Sequence, residues 1–404
     1  MIKVDASSFL VIALAAAAAA LTVAFLPRRV APPVVVLELL LGIVIGPEVL
    51  GFADTDSFTE FFGNLGLGML FFFAGYEIDF ERIRGRPLAL AGAGWALSLA
   101  LAYGIGGALA AAGIVLSLLY TGSAMATTAI GTLIPVLRDA DEMPTKFGTY
   151  LLAAGAAGEF GPIILVTLIL STTHPLHEAV ILLGFIALAA LVALISVRSL
   201  GRGWGRLEDT LEASSQGAIR VFVVLVFGLV ALAGELGLDI LLGGFAAGII
   251  TRLAVRGREV EVLESKLTAV GFGFLIPFFF VTSGMDFDID SLLSSAGALL
   301  KLPLFLALFL LVRGIPAVLL YRGVLAARER AALAFFSATA LPLVVAITTI
   351  ATDGGHMRSS TGAALVGAAI LSTLIFPFVG LALRRRDRDQ ATPTAEALPA
   401  TPAP

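Results

Sequence analysis

The chain has no cysteine and only 3 histidines among its 404 residues. Without cysteine there are no disulfides, thiol nucleophiles or cysteine-bound zinc, and the redox compartment stays unread. His174 and His177 stand in the run HPLH and His356 in another connection; none has metal-ligand spacing on a helix, and all read as solvated loop residues. There is no H-E-x-x-H, no G-x-S-x-G with a plausible base and no P-loop, so intramembrane hydrolysis and ATP-driven work have no visible machinery. Charge is scarce as well, 14% of residues against 58% hydrophobic, and no basic domain is present to hold nucleic acid. A soluble protein of this composition could not cover its surface. The expected class is an all-α polytopic membrane protein embedded in lipid.

Thirteen apolar segments are readable, near 7–26, 33–51, 58–77, 87–111, 113–137, 147–171, 177–198, 217–236, 238–254, 263–285, 292–321, 328–350 and 359–383. The first is about 20 residues long and is followed by Arg28 and Arg29, which fits a membrane helix better than a signal peptide. Alternate connections collect 22 of the 26 Lys and Arg residues, and the opposite set holds only Lys3 and Arg358. By the positive-inside rule the chain belongs in the cell membrane with its N-terminus outside and its C-terminus in the cytoplasm. Residues 1–383 read as the transmembrane domain. The basic run at 384–388 reads as a stop signal, and the Ala/Pro/Thr-rich remainder of 384–404 as a disordered cytoplasmic tail.

The two halves resemble each other. LELLLG at 37–42 matches LDILLG at 238–243, and FFFAGYEID at 71–79 matches FFFVTSGMD at 278–286. The helices so paired lie seven apart, so the copies run in opposite directions, as inverted-topology repeats of secondary transporters do. The repeats span about 7–171 and 217–383, with a linker helix near 177–198 between them; chance likeness among apolar helices is the competing explanation. The pairing matches the segment around Thr121–Pro135 with that around Ser337–Pro342. Each has hydroxyl residues at mid-span with glycine or proline nearby, as expected of two discontinuous, crossing helices. The alternative is routine bonding of the hydroxyls to their own i−4 carbonyls.

Glu159 is the sole ionisable residue within the apolar run 147–171. A carboxylate near the bilayer midplane costs roughly 2.5–3.5 kcal/mol, so it marks either a functional site or a paired structural acid. Small residues precede it and Gly161-Pro162 follow; the proline withholds one helical hydrogen bond from the turn before it. Lys301 and Arg313 share a later helix. Lys301 can snorkel to a headgroup, whereas Arg313 is either a buried cation beside the broken helices or a snorkelling one. Glu38 stands close enough to a helix end to reach the interface.

Taken together and in order, LELLLGIVIGPEVLG, LGMLFFFAGYEIDFERIRGRP, ATTAIGTLIPVLRD, GEFGPI, PFFFVTSGMDFD and LLVRGIPAVLLY resemble the cation:proton antiporter-2 family, the Kef-like monovalent cation/proton exchangers. The resemblance covers about 30–385 and implies a homodimer whose protomers have a core domain of crossed broken helices and a dimerisation domain. It implies elevator-type transport of Na⁺ or K⁺ against H⁺, with no cofactor. Glu159 matches the acid that binds cation and proton in turn. Thr127 and Thr128 match the first crossover, Ser337 and Thr339 the second, and Arg313 the basic residue of the core. Many relatives carry Asp preceded by Asp, Asn or Gln where this chain has Gly158-Glu159. The nucleotide-binding domain of the potassium-efflux relatives is not expected, so neither is regulation by NAD(H) or glutathione conjugates. With no second acid beside Glu159, one proton per cation is the expectation. An organic-acid or bile-acid-like symporter of the same architecture, and a cation channel, are the alternatives. No enzymatic chemistry is expected.

Overall fold

The computed structural model describes residues 5–27, 32–78, 80–170, 216–236, 240–254 and 260–391, with short stretches between 180 and 192. Half of the expected linker helix 177–198 lies outside the described residues, as do residues 200–215, Lys3, Arg28, Arg29, Asp79, His174, His177, Asp239 and 392–404.

The described residues are helical throughout, without strands. In chain order they form α1 (Ala6–Phe25), α2 (Val34–Ile45), α3 (Ser57–Tyr76), α4 (Phe80–Ile83), α5 (Arg86–Ala111), α6 (Leu118–Met125), α7 (Ile130–Asp139) and α8 (Lys146–Leu170). The second half forms α9 (Gly217–Glu235), α10 (Ile240–Ala254), α11 (Val260–Val270), a π-helical turn (Gly271–Leu275), α12 (Ile276–Met285), α13 (Ile289–Leu293), α14 (Ala296–Leu320), α15 (Ala327–Ser337), α16 (Pro342–Asp353) and α17 (Ser359–Ala391). Nine stretches among the described residues are long and apolar enough to cross a membrane, with three shorter apolar ones beside them. Local chemistry sets several starts. The Asp56 side chain accepts from the Thr59 amide at 2.7 Å while the Thr59 hydroxyl returns to the Asp56 amide at 2.8 Å, closing a capping box on α3. Pro342 fits the first turn of α16, where its missing N–H is no loss.

The helices sort into two bundles. In one, α2 lies along α12 and α10 along α3, with α1 and α9 outside. Glycines let these backbones touch: a Cβ at Gly42 would stand 3.0 Å from the Gly284 Cα, and one at Gly284 would stand 3.0 Å from the Gly42 Cα. Gly244 lies against Gly68, and Gly248 against Phe72, in the other pair. If α2 is equivalent to α10, and α3 to the helix ending in α12, an inverted repeat requires this exchange of partners. The second bundle repeats the pattern, with α5 on α8 mirrored by α14 on α17. Both predicted breaks occur, between α6 and α7 and between α15 and α16, and together they set the middle of this bundle.

The connections cluster at two ends as the charge pattern requires. At one end, Arg138 pairs with Glu264 at 3.1 Å, the Arg252 guanidinium lies 5.7 Å from the Tyr76 ring centre, and Arg82 donates to the Met143 carbonyl. At the other, the Thr55 hydroxyl donates to Asp286 at 2.7 Å, Arg358 to the Gly113 carbonyl at 3.1 Å, and exposed His356 stacks on Tyr120.

One boundary needs correction. A disordered tail was expected from residue 384, but α17 runs on to Ala391 and Arg384 is buried. Its guanidinium grips Glu142 through two bonds of 3.2 and 3.0 Å and Glu329 through one of 2.7 Å, over the face of Phe147. The basic run is therefore part of the packed structure at its first residue.

Candidate functional site

Residues 126–129 and 338–341 are the unwound links at the centre of the second bundle. They are joined to each other directly: the Ala129 amide donates to the Thr339 carbonyl at 2.8 Å, and the Thr128 hydroxyl to the Ser337 carbonyl at 2.5 Å. They are also joined to the α8 and α17 helices. Pro162 has no N–H to offer the Gly158 carbonyl four residues back, and that carbonyl instead accepts the Thr128 amide at 2.9 Å. In the second copy the Ser372 hydroxyl does the equivalent work, accepting from the Ala340 amide at 3.1 Å.

Glu159 is one residue beyond this bond and is buried, with 3% of its surface exposed. Its carboxyl faces the backbone N–H groups of Ile130 and Gly131, which begin the half-helix α7. The start of a helix carries partial positive charge and unsatisfied donors, so an acid is stabilised there. Oε2 of Glu159 has no hydrogen-bond partner. The site thus holds an open carboxyl oxygen beside the start of a helix.

Arg313 is buried, 4% exposed, and does not snorkel. Its Nε donates to the Thr128 hydroxyl at 3.0 Å and the Ser337 carbonyl at 3.3 Å, Nη1 to the Ser98 hydroxyl at 3.1 Å, and Nη2 to the Ala154 carbonyl at 3.1 Å. Ser337 ends the half-helix α15, where carbonyls accumulate partial negative charge. The two ionisable residues therefore divide the crossing, the acid on a helix start and the cation on a helix end.

The hydroxyl residues separate into two behaviours. Thr127 returns to the Ala124 carbonyl at 2.9 Å and Thr339 to the Phe335 carbonyl at 3.3 Å, the local bonding that membrane helices commonly show. Thr128 reaches across the crossing. Ser337 and Thr339 contribute backbone carbonyls to it, while the Ser337 hydroxyl is buried without a partner. Gly158 turns out to be a packing requirement: a Cβ there would stand 2.6 Å from the Thr128 hydroxyl and would collide with the Arg313 guanidinium.

Several participants were not singled out from sequence. Ser98 is a single hydroxyl and Ser372 one of a Ser-Thr pair, each in an apolar run and without a local signal. Glu38 was expected to reach the interface, but it is 3% exposed with Oε2 unpartnered, because α1 and α12 pack around α2. Glu77 is within electrostatic reach of Glu159, and of Arg138, Arg252 and Glu264, at the arginine-rich end. Lys301 donates to the Thr361 hydroxyl at 2.9 Å at the opposite end.

A cavity of about 840 Å³ opens between the two bundles at that opposite end. Its walls include Glu60, Asp286, Asp288 and Asp353, with the hydroxyls of Thr282 and Thr348, and it has no lysine or arginine. Burial raises the pKa of Asp286, opposed by the hydrogen bond from Thr55. Glu159 is not among the residues lining it.

The chain is 27% identical to the putative Na(+)/H(+) antiporter YjbQ of Bacillus subtilis, over 88% of this chain and 59% of that protein. It thus spans about three fifths of that relative's length. It is 26% identical to the Na(+)/H(+)-K(+) antiporter GerN of Bacillus cereus, over 65% of this chain and 68% of the relative. Among solved structures, the sodium proton antiporter MjNhaP1 from Methanocaldococcus jannaschii at pH 8 has the same fold, with a TM-score of 0.60 at 17% identity, covering 95% of this chain and 97% of that one. Residues 14–381 match the family described as sodium/hydrogen exchanger, transmembrane, and the chain belongs to that family.

Proposed function

We propose that this chain exchanges a monovalent cation, Na⁺ or K⁺, for H⁺ across the cell membrane, with Glu159 binding cation and proton in turn. The observation that carries the reading is the open Oε2 of a buried carboxyl set at the crossing of two broken helices. Burial favours the neutral form of such an acid, and a nearby cation favours the ionised form, so proton and cation compete for one place. One carboxyl binding one of the two gives an electroneutral exchange. The names of the relatives point the same way, and GerN's adds potassium.

The ion's partners besides Glu159 are drawn from Thr127, Thr128, Ser337 and Thr339, with Arg313 holding the crossing together. Transport is of the elevator type: the bundle of α5–α8 and α14–α17 carries the ion past the glycine-packed bundle of α1–α3 and α9–α12, which serves as scaffold and dimer interface. The acidic cavity between the bundles is the approach for cations, its carboxylates raising their local concentration. Positive-inside orientation places that cavity on the outer side, with the N-terminus outside and the C-terminus in the cytoplasm. The motif runs support placement in the Kef-like branch. The symporter and channel alternatives gain nothing from the family match.

The test is proton flux in proteoliposomes on adding NaCl or KCl, with no organic solute. Wild type releases a proton for each cation taken up, and Glu159→Gln abolishes the exchange. Undiminished flux in the variant would end the reading.

A further inference from the structure

The second half of α14 and the middle of α15 enclose a groove of about 570 Å³ on the outer surface of the second bundle. Its walls are apolar: Leu310, Gly314, Val318, Ala331, Ala334 and Phe335. Gly314 helps keep it open: a Cβ there would come within 3.3 Å of the Ala334 methyl and 3.6 Å of the Leu310 Cδ1. Val318 and Leu319 are exposed along it, so within a bilayer its contents come from the hydrocarbon region. Ordinary lipid contact of this kind needs no specificity.

The end of the groove is different. Arg330 precedes the groove residue Ala331 and donates from Nη1 to the carbonyl of the groove residue Val318 at 2.9 Å, which fixes its guanidinium at the groove's mouth. Its Nε is buried and has no hydrogen-bond partner. The acid beside it in sequence, Glu329, is committed elsewhere, one oxygen to Arg384 at 2.7 Å and the other to the Ala326 amide at 2.9 Å. Arg322 is exposed in the same connection, where the Arg86 guanidinium lies beside Gly323. An apolar slot thus ends at a fixed guanidinium at the headgroup level of one leaflet.

We propose that this groove is a site for an anionic phospholipid, one acyl chain lying between α14 and α15 and the phosphate on Arg330. Arginine suits the phosphate group because its planar donors pair with two oxygens at once. A zwitterionic lipid fills the slot equally well, but its own cationic headgroup faces the guanidinium, so the site discriminates by charge. The arginine-rich connections put it in the cytoplasmic leaflet. The groove is lined from behind by the segments that carry Arg313 and Ser337, so an occupied slot braces the two helices that hold the crossing. The binding claim stands apart from the transport reading and does not depend on it.

The test is native mass spectrometry of the delipidated full chain, titrated with phosphatidylglycerol or phosphatidylcholine of the same acyl chains, beside thermal unfolding with each. The expected result is a retained phosphatidylglycerol adduct and a raised unfolding midpoint, with phosphatidylcholine weaker. Arg330→Gln is expected to lower the phosphatidylglycerol adduct roughly tenfold, the loss of one charge-assisted contact, and leave phosphatidylcholine unchanged. Ala331→Phe, which fills the slot, is expected to remove both. If a variant fails to fold, wild type carries the test through salt: raising NaCl must erase the preference for phosphatidylglycerol. Equal binding of the two lipids by wild type, or full preference kept in Arg330→Gln, overturns the proposal. So does stabilisation by inorganic phosphate alone, which would make the slot irrelevant.

Discussion

Replacing Arg313 by lysine keeps the charge and removes the geometry, which makes it the sharpest probe of the crossing. The guanidinium serves four acceptors that belong to four separate segments: Ser98 on α5, Ala154 on α8, Thr128 in the first crossover and Ser337 at the end of α15. An ammonium group has three donors at one point and cannot span them. At least two of the acceptors lose their donor, and the Ser337 carbonyl is the least affected because the Thr128 hydroxyl still donates to it. A buried polar group left unpaired costs about 1–3 kcal/mol, so the variant is expected to lose about 2–6 kcal/mol. The assay is unfolding of the detergent-solubilised protein, followed by intrinsic fluorescence and by retention on size exclusion, together with cation-driven proton flux. The midpoint should fall by several degrees and flux should fall with it. Arg313→Met, which removes charge and donors together, should be worse still. A lysine variant that unfolds and transports like wild type would refute the reasoning, since charge alone would then hold the crossing.

Three other substitutions or conditions follow from the same geometry. Gly158→Ala should cost about 1–3 kcal/mol by overpacking against Thr128 and Arg313, measured as a lower unfolding midpoint, while Ala157→Gly next to it should not reproduce the effect. Arg384→Ala should cost about 3–5 kcal/mol because it takes the guanidinium away from buried Glu142; Glu142→Ala made in addition should cost less than the sum of the two, which a double-mutant cycle would read. If proton and cation share Glu159, lowering the pH on the cation side must raise the apparent KM for the cation and leave the maximal rate nearly unchanged. A KM independent of pH would separate the two sites.

Much of the architecture was legible because it rests on local signals. Apolar length located the helices, and the arginine alternation located the ends. The hydroxyl clusters with Pro135 and Pro342 located both breaks. Reading fails where a residue's role is fixed by a distant partner. Arg384 looks like a stop signal, and its distant partners Glu142 and Glu329, 242 and 55 residues away, make it part of the packed structure. Gly158 looked meaningful for the carboxylate it lacks, and the structure gives it meaning through the space it leaves. Ser337 was chosen for its hydroxyl, yet its carbonyl makes the cross-link. No pattern of residue types could separate those two oxygens, because every residue has the second. Ser98 and Ser372 were missed for the same reason in reverse: a hydroxyl in an apolar run is common, and its use depends on what the opposing helix presents.

The bond between the Thr128 amide and the Gly158 carbonyl has a mechanical consequence. A helix normally reclaims any carbonyl that a neighbour borrows, because its own N–H stands waiting four residues on. Here Pro162 has abolished the competitor, so the first crossover is lashed to the helix bearing Glu159 by a tie that the helix has no means of undoing. The acid, the unwound crossover beside it and the half-helix whose start it faces form one chassis. Any stroke that displaces the acid hauls the whole crossing along, and a state that leaves either behind strands a buried carbonyl without a donor.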